Sequence, residues 1–362
     1  MKKAGVLNAQ VQQLAQTAQL FWPPDPSSAA FCTVGGNLAT CAGGPRAVKY
    51  GVTRDHVLGL TAVTGKGEII HTGGYTTKGV VGYDLTRLLI GSEGTLALIT
   101  EATLKLTPRP EAACGVVAHY ASVAAAAQAI TRLMAQPLAP CALEFLDAGA
   151  LALLRTRHPQ WVHEQTVALL MIEVDGSHDQ VETLAQQLAA VAQEGAQRLF
   201  VTTDMAQLWA ARKALSPLLR QIAPKKINED VVVPVATLPQ LLAALAQISS
   251  RYAIRNVNFG HAGNGNVHVN LLVNPDDPLE LARAHEALAE IFQVVLALQG
   301  SLSGEHGVGT EKRPFVSQEI DAITLSYMHG IKKVFDPGGI LNSGKALPDL
   351  DEKAATHENE SS

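Results

Sequence analysis

Cysteine and charge are both scarce in this chain, and each shortage argues against a class of protein. The four cysteines, Cys32, Cys41, Cys114 and Cys141, form no CxxC pair and no finger-type spacing. A disulfide scaffold or zinc ribbon is therefore not expected; reduced thiols in a cytoplasmic-type compartment are. A net charge of −5, with charged residues only 17% of the chain, supplies no basic surface of the kind that nucleic-acid binding requires. No apolar run reaches the roughly 18 residues needed to cross a bilayer. In the N-terminal stretch MKKAGVLNAQVQQLAQTAQLFW, glutamines interrupt what would be the apolar core of a signal peptide. The expected location is cytoplasmic, with attachment to the periphery of the inner membrane through a partner subunit left open.

What the chain does have is apolar residues, 47% of its 362 positions, enough for two cores at roughly 100–200 residues per domain. Residues 1–110 are glycine-rich and strand-like. HVLGLTAVTGKGEIIHTGG reads as two strands around Thr64-Gly65-Lys66-Gly67, and GTLALITEATLKLTPRP as another strand closed by Pro108 and Pro110, a plausible boundary. Beyond it the texture alternates between strands and alanine-rich helices. ACGVVAHY, CALEFLD, TVALLMIEV, RLFVTT and DVVVP are strand candidates. SVAAAAQAITRLMA (with Ser122 as N-cap), DQVETLAQQLAAVAQ, MAQLWAARKALSPLLR and LPQLLAALAQISSRY are helix candidates. Helices returning to strands in this manner predict an α+β layer of helices on an antiparallel sheet. The polar stretch 347–362 has no periodicity and is expected to be disordered.

The stretch GHAGNGNVHVN places two histidines around a turn. If Asn264-Gly265 is a two-residue hairpin turn between AIRNVNFGH and NVHVNLLV, His261 falls directly opposite His268, with Asn270 on the same face. The plain alternative is a hairpin with two ordinary polar pairs. Gly304-Glu305-His306-Gly307-Val308-Gly309 offers a third ligand: a carboxylate beside an imidazole in a loop where backbone can approach closely. Two histidines and a carboxylate leave coordination positions open, as catalytic metal sites do. In an extended loop neighbours point opposite ways, so Glu305 can bind metal while His306 handles protons. Neither GNGNVH nor GEHGVGTEK completes a dinucleotide fingerprint or a P-loop.

Five blocks in order, PPDPSSAAFCTVGGNLATCAGGPRAVKYGVTRDHVLGL, GYDLTRLLIGSEGTLALITEATLKLTPRP, FGHAGNGNVHVN, GSLSGEHGVGTEK and FDPGGILNSGK, resemble the FAD-linked oxidases of the vanillyl-alcohol-oxidase type. Within them the resemblance is to the D-lactate dehydrogenase, D-2-hydroxyglutarate dehydrogenase and glycolate oxidase FAD-subunit group. It implies the C-terminal part of a FAD-binding domain over 1–110, an α+β substrate or cap domain with an antiparallel sheet over 111–299, and a C-terminal segment, 300–346, returning to the flavin. It also implies site residues. Gly35, Gly36, Asn37, Gly43 and Gly44 match flavin-contacting loops, as do Gly91, Ser92, Glu93, Gly94 and Thr95; Ile99 and Asn342 match further cofactor contacts. His261, His268 and Glu305 match metal ligands, the metal taken as zinc. Asn270 matches a substrate contact and His306 the catalytic base, while Arg212 and Lys226 correspond to residues holding the substrate carboxylate. By helical spacing Trp209, Arg212 and Ser216 share one face, with Leu208, Ala211 and Leu215 turned to the core.

Cys41 stands where the group commonly has asparagine, Asn264 where it has aspartate, and Ser343 where it has proline. The group also carries a first FAD sub-domain before the PPDPSS block, which this sequence lacks, so a truncated chain is expected. The implied reaction is oxidation of a D-2-hydroxy acid to the 2-oxo acid by hydride transfer to FAD, with metal-assisted binding of the substrate. An iron–sulfur subunit, a cytochrome or a quinone would then take the electrons. Two other readings stand beside it: a flavin-free metal hydrolase or oxygenase using the His-His-Glu set, and an inactive fragment or half of a split enzyme.

Overall fold

The computed structural model describes residues 2–219 and 222–349. The tail expected to be disordered lies, from Leu350 onward, outside the described residues. The chain divides into two compact units, Met1–Gly44 with Gly51–Arg109 and Glu305–Ser362, and Pro45–Tyr50 with Pro110–Gly304.

In the first unit β1 (Lys2–Lys3), β2 (Val57–Thr64), β3 (Ile69–Gly73) and β4 (Ala97–Leu104) form an antiparallel sheet in the order β1-β4-β2-β3. Alternation along β2 buries Leu60 and Ala62, which join Trp22, Leu38, Leu89 and Ile90 in one core. The turn expected at Thr64–Gly67 forms, with the Gly67 amide donating to the Thr64 carbonyl at 2.9 Å. The C-terminal helix Ala322–Phe335 belongs to the same unit. From it Lys332 Nζ donates to the carbonyls of Thr95 (2.9 Å) and Leu341 (3.0 Å) and pairs with Asp336 (2.8 Å).

The second unit is built on a seven-stranded antiparallel sheet. Its strands are β5 (Ala112–Tyr120), β6 (Ala142–Leu146), β7 (Ala168–Gly176), β8 (Ala196–Thr202), β9 (Lys225–Val232), β10 (Arg255–Gly260) and β11 (Asn266–Val273), in the order β8-β5-β7-β6-β10-β11-β9. Its longer helices are α1 (Val123–Met134), α2 (Ala148–Arg157), α3 (His178–Ala192), α4 (Ala206–Leu219), α5 (Leu238–Tyr252) and α6 (Pro278–Ala297). The Ser122 hydroxyl caps α1 by accepting from the Ala125 amide at 3.1 Å, and Asp147 caps α2 in the same way. The α+β class and the antiparallel sheet read from the sequence are both present. Helices α2 and α6 were not among the sequence expectations, and β9 begins five residues before DVVVP. Among the described residues no helix is long and apolar enough to cross a membrane, and the four cysteines are free.

The histidine hairpin differs from its expected form. Its loop is the four residues Ala262–Gly265, not two: the His261 carbonyl accepts from the amides of both Asn264 (3.0 Å) and Asn266 (3.2 Å). Phe259 therefore faces His268, and Val257 faces Asn270. The loop is a helical turn closed by Gly265 at φ +70°, where a Cβ would lie 1.9 Å from the Val233 carbonyl oxygen. A non-glycine residue meets both the left-handed strain and that clash. Gly265→Ala should lower stability by about 2–3 kcal/mol in chemical denaturation; an unchanged midpoint would contradict this account of the turn.

Candidate active site

The period of two survives the longer loop, because the pairing moves by an even number of residues and no side chain changes face. On β11, His268 faces Phe259 of β10 on one side and Asp230 of β9 on the other, while Asn270 faces Val257 and Asn228. On β6, Leu146 faces Phe259, so Glu144 shares the face of His261. That face otherwise packs Val117, Leu146, Met171 and Leu272 against the Leu151, Leu208, Ala211 and Leu215 side chains of α2 and α4. A line of polar groups thus crosses an apolar layer, and each needs a partner there.

Glu144 supplies the central one. Fully buried, its carboxylate accepts from His261 Nδ1 (2.5 Å) through one oxygen and from Arg212 Nε (2.6 Å) through the other. The Arg212 guanidinium also lies over the Phe259 ring, 4.5 Å from its centre. Burial works to raise the Glu144 pKa, but the His261 charge, the Arg212 charge and the hydrogen bond from His261 outweigh it and hold the group down to about 2. A carboxylate shifted downward contributes stability above its ordinary pKa, lost as the pH falls from about 4.5 toward 2.

Around this triad lie the other residues singled out in the second unit. The His261 and His268 rings meet edge to face with centroids 5.1 Å apart. His268 Nδ1 stands 3.6 Å from Asp230 Oδ1, and Asp230 also accepts from Asn266 Nδ2 at 2.5 Å. Both imidazoles therefore turn Nδ1 toward a carboxylate, which directs Nε2 away from it and fits metal-ligating histidines. Asn270 is fully buried; its amide nitrogen donates to the carbonyls of Val257 and His268. Lys226 Nζ reaches Ser216 Oγ at 2.8 Å and Asn270 Oδ1 at 3.4 Å. The expected α4 face is present, each member held by a different strand: Trp209 Nε1 by Glu173, Arg212 by Glu144 and Ser216 by Lys226. The short segment Pro45–Tyr50 closes one end of the layer, with Arg46 on Glu173 (2.6 Å) and Lys49 and Tyr50 on Asp175. Glu144 and Asp230 were not among the sequence candidates. The available signal was an acid in the middle of CALEFLD, an otherwise apolar strand in which a lone carboxylate needs a buried cation.

The proposed flavin contacts lie in the first unit, on two loops wound against each other. Gly35, Gly36 and Asn37 open the helix Val34–Thr40, capped by Thr33 Oγ1 on the Gly36 amide (3.0 Å). The Gly91 amide donates to the Leu38 carbonyl (2.9 Å) and the Glu93 amide to that of Ala39 (2.8 Å). Ser92 and Thr95 bond back within their own loop, and Ile99 packs on the core. The Glu93 carboxylate accepts from the amides of Val308 (2.7 Å) and Gly309 (2.8 Å), while Asn342 Nδ2 donates to the Glu93 carbonyl. Glu93 and Asn342 are thus engaged in binding the GEHGVG loop and the C-terminal stretch to this unit. Gly43 has its own reason to be glycine, since a Cβ there would meet a Glu305 carboxylate oxygen at 2.7 Å. Glu305 is half-buried and His306 exposed. What remains for a ligand is the Asn37 amide, 3% exposed, with Nδ2 lacking a partner among the described residues. An orphaned buried donor between two glycine loops fits a polar cofactor.

Removing one member of the Glu144 triad should be costly and removing two much less so. Glu144→Ala leaves Arg212 buried without its counter-charge and should lose about 3–5 kcal/mol. Glu144→Leu combined with Arg212→Met should recover most of that loss in the same denaturation experiment. Equal destabilisation by both would contradict the assigned pairing.

Residues 109–346 match the family described as FAD linked oxidases, C-terminal domain, and residues 3–73 match the FAD binding domain. The chain is 38% identical over 345 residues to the glycolate oxidase subunit GlcD of Bacillus subtilis (strain 168), covering 94% of this chain and 73% of that protein. It is 34% identical over 355 residues to a D-lactate dehydrogenase of Anaerostipes hadrus, covering 95% and 74%. Its fold is that of p-cresol methylhydroxylase, with a TM-score of 0.76 at 16% identity over 96% of this chain and 76% of that one. The chain belongs to the FAD-linked oxidases, a family of flavin-dependent oxidoreductases.

Proposed function

We propose that this chain oxidises a D-2-hydroxy acid of the D-lactate, glycolate or D-2-hydroxyglutarate type to its 2-oxo acid. The observation that carries the reading is the polar line of the second unit, where two carboxylate-held imidazoles, a guanidinium and an ammonium group stand on one face of one sheet. Such a set suits a small substrate with a carboxylate and a neighbouring hydroxyl. Relatives named for glycolate oxidation and D-lactate dehydrogenation point to the same class.

Bound FAD supplies the hydride acceptor; Gly36, Asn37, Gly91 and Gly94 would lie against it, with Gly35, Gly43, Gly44 and Glu93 shaping the loops. His261, His268 and Glu305 would hold a divalent metal, taken as zinc from the family resemblance, whose Lewis acidity would assist binding of the carboxylate and hydroxyl. Glu305 directly follows Gly304, whose amide donates to the Asp230 carbonyl at 3.1 Å. Arg212 and Lys226 place positive charge where the substrate carboxylate binds, and Asn270 holds the Lys226 ammonium in position. Glu144 fixes the His261 tautomer, and Asp230 places a negative charge beside His268 Nδ1. His306 takes the hydroxyl proton as the general base. The electrons leave through a partner: an iron–sulfur subunit, a cytochrome or a quinone.

His268→Ala should reduce D-2-hydroxy-acid oxidation by on the order of 100-fold and lower bound metal, while leaving the flavin spectrum of the purified protein unchanged. Normal turnover by the variant would sink the metal assignment. Metal retained without flavin in the parent protein would favour a flavin-free metal enzyme instead.

A further inference from the structure

At the other end of the same sheet the second unit carries a pocket that the proposed chemistry does not use. It has a volume of about 210 Å³ and is lined by His119, His163, Gln165, Thr166, Gln197 and Arg198. His119 lies on β5, three strand spacings from β10 in the sheet order, which is roughly 14 Å. The lining contains two imidazoles, a guanidinium, two amides and a hydroxyl, and no carboxylate; Glu164, the acid in the adjoining turn, is not part of it.

Two features indicate a built site. The first is a bulge in β8. Ala196 pairs with Tyr120 and Arg198 with His119, so Gln197 is an extra residue. In a regular strand consecutive side chains point to opposite faces; the bulge lets both Gln197 and Arg198 line one cavity. The second is the opposing turn, fixed at several points. Trp161 stacks on Phe200 with centroids 6.2 Å apart, and the Thr166 amide donates to the His163 carbonyl at 3.1 Å. The Val167 amide donates to the Tyr120 carbonyl at 2.9 Å. Arg198 itself lies over the Phe200 ring, 5.8 Å from its centre. At the floor sits His119, only 2% exposed, its Nδ1 paired with Thr166 Oγ1 at 3.1 Å. Its Nε2 makes no hydrogen bond among the described residues.

We propose that this pocket binds a small oxyanion, a carboxylate or phosphate group, between the Arg198 guanidinium and His119 Nε2, as a site separate from the polar line of His261 and His268. Thr166 donating to Nδ1 places the ring proton on Nε2, where it meets the anion, and Gln165 and Gln197 supply further donors. Burial first, then the charges of Arg198 and His163, hold the empty His119 imidazole down to about 4. The neutral ring leaves the exposed Arg198 as the principal attracting charge and avoids a buried imidazolium when no anion is bound.

The test is a titration of the full chain, at constant ionic strength, with inorganic phosphate, acetate or chloride, followed through the His119 ring nitrogens by NMR. Saturable shifts with phosphate or acetate, absent with chloride, are expected, and whichever oxyanion binds more tightly assigns the ligand class. Arg198→Gln should weaken that binding about tenfold through loss of a charge-assisted bond, whereas Arg87→Gln, in the other unit, should leave it unchanged. His119 resonances unmoved by both oxyanions, equal shifts with chloride, or undiminished binding by the Arg198 variant would each overturn the proposal.

Discussion

A carboxylate with no access to water, Glu144, joins a helix to a hairpin in the second unit. One oxygen holds the Arg212 guanidinium on α4 and the other holds His261 at the end of β10. An isolated ion at that depth would not persist, and a single partner would leave lone pairs unsatisfied. With two cationic or donating partners it stays ionised and fixes both. The rest of the polar layer follows from this anchor, because His261 orients against His268, His268 faces Asp230, and α4 carries Ser216 to Lys226.

The arrangement uses the sheet as a ruler. Antiparallel pairing with a period of two sets the polar side chains of β6, β9, β10 and β11 in one row, and apolar neighbours on the same face exclude water from it. On the proposed function, groups there would act on a small polar substrate as strong donors, since water does not compete and little reorganisation is needed. The flavin-family loops follow a different logic. They sit in the first unit, where glycines let backbones approach and Glu93 binds the GEHGVG loop through two amides. Catalytic sets in enzymes are often divided in this way, with rigid sheet positions for recognition and glycine loops for the cofactor.

Parity was legible in the sequence, while distance along the chain was not. The spacing of His261 and of His268-Val269-Asn270 about an Asn-Gly turn placed His261, His268 and Asn270 on one face, and that survived a loop two residues longer than expected because the shift was even. Helical spacing likewise sorted α4 into a polar face and a core face. Glu144 and Asp230 escaped, since their partners are more than thirty residues away in sequence and no local pattern links them. The return of Pro45–Tyr50 to the second unit was equally hidden: its reason is long-range pairing of Arg46 and Lys49 with acids on β7. Helix α2 has little amphipathic pattern because its exposed Ala148 and Ala152 are as apolar as its buried Ala150, Leu151 and Leu154, and its capping residue Asp147 also accepts from Asn258, far away in sequence.

The most direct test of the central claim is the position of the proton on His261, read from the nitrogen resonances of its imidazole. The carboxylate of Glu144, accepting at Nδ1, requires the proton there, and added divalent metal should perturb Nε2 while Nδ1 remains protonated. A His261 ring protonated at Nε2 alone, with Nδ1 bare, would contradict the account.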